Sequence, residues 1–379
     1  MTARRNDWLD LCRALAILMV LLSHGRVFLR PAMPWAEYFR FGGFLGVELF
    51  FVLSGFLIGG ILIRLSRKGG THWLKGFYAR RWFRTLPNYY LFVLINVMLV
   101  WWGVRPGDLD VVWKYLLFVQ NLFGPHPLFF PEAWSLALEE VFYLLFPAMF
   151  LLLGRLSGLS ASRSILVVAL AVIVSSLLAR LLVSASVVAW DEEIRKVVFL
   201  RFDTLMFGVL LAWVYDRHPR WLKMPGLAAG LMLIFVASAI YFALTPDAVL
   251  NESVFAKTLY LSLAPMGCAG LLLVGIERSL PGWLSASGIF VARISYSAYL
   301  VNIPVALTLV HLFGCCDNSP FQTLGMWLAF MVLTLVISHV VYEGYEKRFN
   351  ALRDRLFPAT APAVRGTASH ARRAKRNRR

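Results

Sequence analysis

The sequence predicts an all-α fold, a polytopic membrane protein with about ten transmembrane helices around a polar cavity. Three observations carry this expectation. The 379-residue chain is 59% hydrophobic and only 16% charged, and several apolar runs reach the ~20 residues that a bilayer-crossing helix needs. No alternating ten-residue pattern points to a barrel. Asp10, Arg13, His24, Glu48, Glu139 and Asp203 all stand inside apolar runs, and ionisable groups at membrane depth generally face a protein interior or a wet cavity.

The spans fall near 8–28, 43–63, 86–103, 133–153, 164–187, 198–215, 225–244, 256–276, 294–313 and 323–343. With the N-terminus inside, the inner segments hold most of the lysines and arginines. The positive-inside bias then places both termini in the cytoplasm, as in a bacterial-type inner membrane. The formal charge of +17 is mainly an orientation signal. The expected surface partner is the lipid bilayer, and no nucleic acid is expected. Residues 1–349 read as one membrane domain, and 350–379 as a basic cytoplasmic tail too polar to order itself.

The first span follows Arg4 and Arg5 as a leader would. Arg13 and His24 interrupt its apolar core and no small-residue cleavage site follows, so it is expected to be retained. Arg13 and His24 are three helical turns apart, about 16 Å along the axis with about 20° of drift, and Asp10 lies within roughly 40° of the same stripe. One polar stripe thus runs from the start of the helix to an imidazole, the natural general base near neutral pH.

The second span carries Gly42 and Gly46, then Gly55 and Gly59, at the spacing that lets helices approach closely. Glu48 lies between these pairs. It reads either as an orienting carboxylate for His24 or as an outward-reaching surface group. The following inner segment supplies Arg64, Arg67, Lys68, Lys75, Arg80, Arg81 and Arg84. Arg81 and Arg84 would share one helical face leading into Pro87, and planar guanidinium forks suit phosphate.

The fourth span opens with Glu132, Trp134, Ser135, Glu139 and Glu140. The adjacent carboxylates point roughly 100° apart, so one can face a cavity and the other a basic partner. Asp203 in the sixth span and Arg293, Ser295 and Tyr296 at the ninth extend the polar interior. The seven histidines are scattered, so no metal site is expected. Cys315 and Cys316 are adjacent, where a disulfide would be strained, and read as small loop residues. No Gly-x-Ser-x-Gly elbow or Gly-rich phosphate loop occurs.

Five ordered blocks resemble the acyltransferase family 3 membrane proteins, which move acyl groups onto carbohydrates. They are Asp10-Leu-Cys-Arg13-Ala-Leu-Ala with His24, Gly46-Val-Glu48-Leu-Phe-Phe-Val-Leu-Ser54-Gly-Phe56, Arg81-Trp-Phe-Arg84-Thr-Leu-Pro87, Trp134-Ser135-Leu-Ala-Leu-Glu139-Glu140-Val-Phe-Tyr143, and Ile294-Ser-Tyr296-Ser-Ala-Tyr299-Leu300. The resemblance covers about residues 8–349.

It implies a cytoplasmic acyl-CoA donor, with acetyl-CoA the commonest, and a sugar hydroxyl acceptor on the outer face. No tightly bound cofactor is implied. His24 would be catalytic, as base or covalent carrier, with Glu48 and Glu139 beside it. Arg81 and Arg84 would contact acyl-CoA, whose pantetheine arm would pass Arg13. Trp134, Ser135 and Tyr296 would support acceptor or oxyanion.

Two departures stand out. The late block usually continues to a histidine where this chain has Asn302, so any second imidazole role must be met by hydrogen bonding alone. The closing Glu-x-Pro is Glu346-Lys347-Arg348 here. An appended esterase-like domain, present in some members, is not seen, so transfer is expected to finish within the membrane domain. The rival reading is a non-enzymatic carrier of a lipid-linked sugar. The absence of an internal repeat counts against it.

Overall fold

A computed structural model describes residues 6–314 and 319–358. Among them no strand occurs. Ten helices form the bundle: α1 (Asp7–Leu29), α2 (Arg40–Ser66), α3 (Trp73–Trp101), α4 (Ala133–Ser157), α5 (Ala161–Val183), α6 (Asp203–Arg217), α7 (Pro225–Leu244), α8 (Tyr260–Gly275), α9 (Gly282–Phe313) and α10 (Pro320–Val341). A shorter helix, α11 (Lys347–Leu356), follows. Every expected span has its helix, and eight are long and apolar enough to cross a membrane.

The other two are α6 and α8, of 15 and 16 residues. Each starts a few residues after its apolar run begins: a short helix (Val254–Lys257) and a turn precede α8, and irregular backbone precedes α6. Residues 191–202 form a π-turn and loop, anchored where the Asn121 amide donates to the Lys196 carbonyl at 2.6 Å. At the other extreme, α3 begins thirteen residues before its expected start at 86, so Arg80, Arg81 and Arg84 are helical and Pro87 is interior. Proline inside a membrane helix is tolerated because neighbouring groups can take up the freed carbonyl. The carbonyl that Pro87 frees is that of Phe83; two residues further on, the Tyr296 hydroxyl donates to the Thr85 carbonyl at 2.9 Å and ties α9 to this turn.

Asn6 caps α1, its side-chain oxygen accepting from the backbone N–H of Trp8 and Leu9 at 3.0 and 3.2 Å. α1 then packs against α2, α9 and α10. The two glycine pairs of α2 serve different neighbours. A Cβ at Gly42 would stand 2.4 Å from the Met19 carbonyl oxygen, and one at Gly46 2.7 Å from that of Ala16, so this pair admits α1. Gly55 admits α6 instead: its Cβ would lie 1.9 Å from the Leu205 carbonyl oxygen, and one at Gly208 would lie 2.1 Å from that of Val52. Gly55→Val should therefore cost more than the roughly 1–3 kcal/mol of ordinary overpacking, because backbone must move. The yield and melting temperature of detergent-purified protein would register the loss.

Helix α11 crosses the expected boundary between membrane domain and tail at 349–350. Residues up to Leu356 are helical, and Arg80 of α3 pairs with Asp354 at 3.1 Å and donates to the Phe357 carbonyl at 2.5 Å. These contacts order a segment whose composition alone would not. Residues 359–379, the rest of the expected disordered tail, and the Cys315–Cys316 pair lie outside the described residues, as do Arg4 and Arg5.

Candidate active site

Two cavities meet inside the bundle. The first, of about 220 Å³, is lined by Arg13, Arg81, Arg84, Glu139, Ser54 and Tyr296, and it closes against Ser135 and Tyr299. The second, of about 540 Å³, lies between the N-terminal end of α1 and the C-terminal ends of α2 and α6. Arg13, Leu57 and Ile61 line both, so Arg13 stands at the waist. Its guanidinium pairs with Asp10 at 2.9 Å, one turn away on the same stripe.

The first cavity has a charged floor and a hydroxyl-rich far end. Glu139 accepts from Ser54 Oγ at 3.0 Å and from the Tyr143 hydroxyl at 2.6 Å. Arg81 lies over the Tyr143 ring, 3.8 Å from its centre, donates to its hydroxyl and sits 3.9 Å from Glu139. Glu140 turns away and accepts from Thr85 Oγ1 at 2.7 Å. Glu139 thus faces the cavity and Glu140 lies behind it, but the expected basic partner is beside Glu139, as Arg81, and Glu140 has a hydroxyl instead. At the far end Ser135 Oγ and the Tyr299 hydroxyl are 2.7 Å apart, each 3.1 Å from the Glu132 carbonyl oxygen.

His24 is half-buried and does not line either cavity. Two hydrogen bonds in series link it to the first, through Asn302 to the backbone of Tyr299. Its Nδ1 is 2.6 Å from Asn302 Oδ1, and Asn302 Nδ2 donates to the carbonyls of Tyr299 at 2.6 Å and Ala298 at 3.1 Å. Those two carbonyls assign the amide orientation, because only the NH₂ group can donate to them. The amide oxygen therefore faces the ring, so Nδ1 carries the proton and Nε2 keeps its lone pair. An asparagine does here what an orienting carboxylate or carbonyl commonly does for a reactive histidine.

Glu48 is not that orienting group. It is fully buried, accepting from Arg201 at 2.5 Å and Thr204 Oγ1 at 2.6 Å. Both partners belong to the α6 side of α2, the face opened by Gly55, so the carboxylate ties α2 to α6 and has no hydrogen bond to His24. Asp203 likewise pairs with Arg180 at 2.8 Å and accepts from Ser262 at 2.9 Å. Arg293 is exposed and contributes nothing to the interior.

Trp134 is a packing residue. It meets Phe51 edge to face at 5.7 Å, and the Arg195 guanidinium lies 4.7 Å from its ring centre. Arg195 pairs in turn with Asp191, and Lys196 lies 2.8 Å from the same carboxylate. Burial raises the Asp191 pKa, but these two cations outweigh it and hold the carboxyl below the usual range. Among the described residues no group of three or more metal-ligating side chains is placed to hold an ion.

Arg201, Arg195, Tyr299 and Ser54 do not stand out as site residues in the sequence. A usable signal existed for the first. A carboxylate buried in a membrane bundle is often met by a cation, and Arg201, itself inside an apolar run, is such a cation for Glu48.

Fold and cavities together define a multi-pass membrane protein with an arginine-floored chamber and, outside its lining, an imidazole held by Asn302. The chain belongs to acyltransferase family 3: the family model described as an acyltransferase domain matches residues 6–343. Peptidoglycan O-acetyltransferase OatA of Listeria monocytogenes is 35% identical over 160 residues, covering 38% of this chain and 24% of that protein. YrhL of Bacillus subtilis, named as a candidate peptidoglycan O-acetyltransferase, is 33% identical over 188 residues, covering 45% and 27%. A candidate O-acetyltransferase of Staphylococcus aureus strain COL is 24% identical over 376 residues, covering 90% and 56%. The chain thus spans between about a quarter and about a half of the length of these relatives. No solved structure matches it.

Proposed function

We propose that this protein is a membrane O-acetyltransferase. It takes acetyl from a cytoplasmic acyl-CoA and delivers it to a hydroxyl of a cell-surface carbohydrate, of which peptidoglycan is the class named for two relatives. The observation that carries this reading is the His24–Asn302 pair beyond a chamber whose opposite side holds Arg13, Arg81 and Arg84. A polyanionic donor meets cations at one end, and the base waits at the other. The excess of lysine and arginine around the arginine end supports placing it in the cytoplasm.

The donor's thioester reaches the Ser135–Tyr299 end of the chamber. His24 Nε2 takes the acceptor hydroxyl proton as that oxygen attacks the thioester carbon. The C–O bond forms, negative charge gathers on the former carbonyl oxygen, and hydroxyl donors in that corner stabilise it. Collapse breaks the C–S bond, and the imidazolium returns its proton to the departing coenzyme A thiolate. Ester and thiol are the products, and the imidazole is restored.

Asn302 holds the ring and its tautomer without touching substrate. Asn302→Leu should lower kcat about 10- to 100-fold, the usual loss when a group orienting a reactive histidine is removed, and leave the KM for acetyl-CoA unchanged. Steady-state kinetics on purified protein would separate the two.

The direct test uses inverted membrane vesicles supplied with acetyl-CoA labelled in the acetyl group. Label should enter the lipid-linked or polymer fraction only in vesicles carrying the protein. Protein-dependent movement of a lipid-linked sugar without acylation would establish the carrier reading instead.

A further inference from the structure

We propose that Arg64 is the specificity residue for the 3′-phosphate of the donor, and that the second cavity holds its adenosine end. This rests on the coenzyme A donor reading and extends it to a site apart from the Arg81–Arg84 pair.

The charge balance of the second cavity points to it. Three guanidinium groups line this space, from Arg13, Arg64 and Arg67, with the carboxylates of Asp10 and Asp216. Arg13 is paired with Asp10 at 2.9 Å, and Arg67 with Asp216. Arg64, exposed in the last turn of α2, makes no hydrogen bond or ion pair among the described residues. Among the described residues the lining of this cavity therefore carries one unmatched positive charge, that of Arg64.

The first cavity repeats the pattern. Arg81 is engaged with Tyr143 and Glu139, whereas Arg84 makes no hydrogen bond or ion pair among the described residues. Two open guanidinium groups thus lie on opposite sides of the Arg13 waist, one in each cavity.

A ligand that satisfies both must be extended and carry two separated anionic groups. A coenzyme A thioester has this form, with a diphosphate next to the pantetheine arm and a lone phosphate on the far ribose. The diphosphate lies nearer the thioester, so it belongs with Arg84 in the cavity that leads to His24. The ribose phosphate then falls to Arg64, where the guanidinium fork fits it. Phe56 and Tyr215 also line the second cavity and meet edge to face at 6.0 Å, giving the adenine an aromatic wall.

The test compares coenzyme A with 3′-dephospho-coenzyme A as competitors for labelled acetyl-CoA on the full chain in detergent. Wild type should bind coenzyme A about 10- to 100-fold more tightly, the range of one charge-assisted contact. In Arg64→Gln the affinity for coenzyme A should fall to the dephospho level while that for the dephospho compound stays unchanged, and Arg64→Lys should restore part of the difference. A wild type that binds both equally, or an Arg64→Gln protein that weakens both alike or neither, overturns the assignment while leaving the donor reading intact. If wild type binds no acetyl-CoA, the donor reading and this assignment fail together.

Discussion

His24→Ala should lower acetyl transfer by about 10²- to 10⁴-fold, the range supplied by a positioned general base. The protein should still fold, because the imidazole is half-buried and its side-chain partner among the described residues, Asn302, keeps both amide donors on backbone carbonyls. Acetyl-CoA binding should be unchanged, since His24 does not line either cavity. A folded His24→Ala protein that binds donor and turns over at the wild-type rate would remove the base from the mechanism. His24→Gln is a second probe, because it keeps a polar group there without a base.

Arg201→Met should have the largest effect on stability. It leaves Glu48 fully buried without its cation, and breaking a buried pair on one side costs about 3–5 kcal/mol. Glu48→Leu alone should cost a similar amount by stranding Arg201. The double variant Glu48→Leu/Arg201→Met should recover much of the loss, since well-packed apolar groups often replace a buried pair with little penalty. Thermal unfolding of the four proteins in detergent completes the cycle. If Glu48→Gln instead lowers kcat at unchanged melting temperature, the carboxylate acts on the chemistry and the bracing role fails.

The same residues show why part of the site was legible and part was not. Apolar run length marked all ten helices, because membrane insertion is decided segment by segment. Boundaries were less legible. α3 extends thirteen residues before its apolar run, and α11 is ordered through Arg80 and Phe357, which are remote in sequence. Periodicity put Asp10, Arg13 and His24 on one stripe, and the Arg13–Asp10 pair follows that arithmetic. Small-residue spacing announced close helix approach but not which helix each pair would admit.

The sequence by itself determined the helical membrane class, the stripe that ends at His24 and the two arginines that floor the chamber, because each depends on spacing within one segment. Tertiary structure alone decided the pairings. Glu48 went to Arg201 because the Gly55–Gly208 approach turns that face of α2 toward α6. The orienting contact to His24 fell to Asn302, 278 positions along the chain. Which buried charge meets which partner depends on how helices rotate and pack, and that is a property of the assembled bundle, not of any one helix.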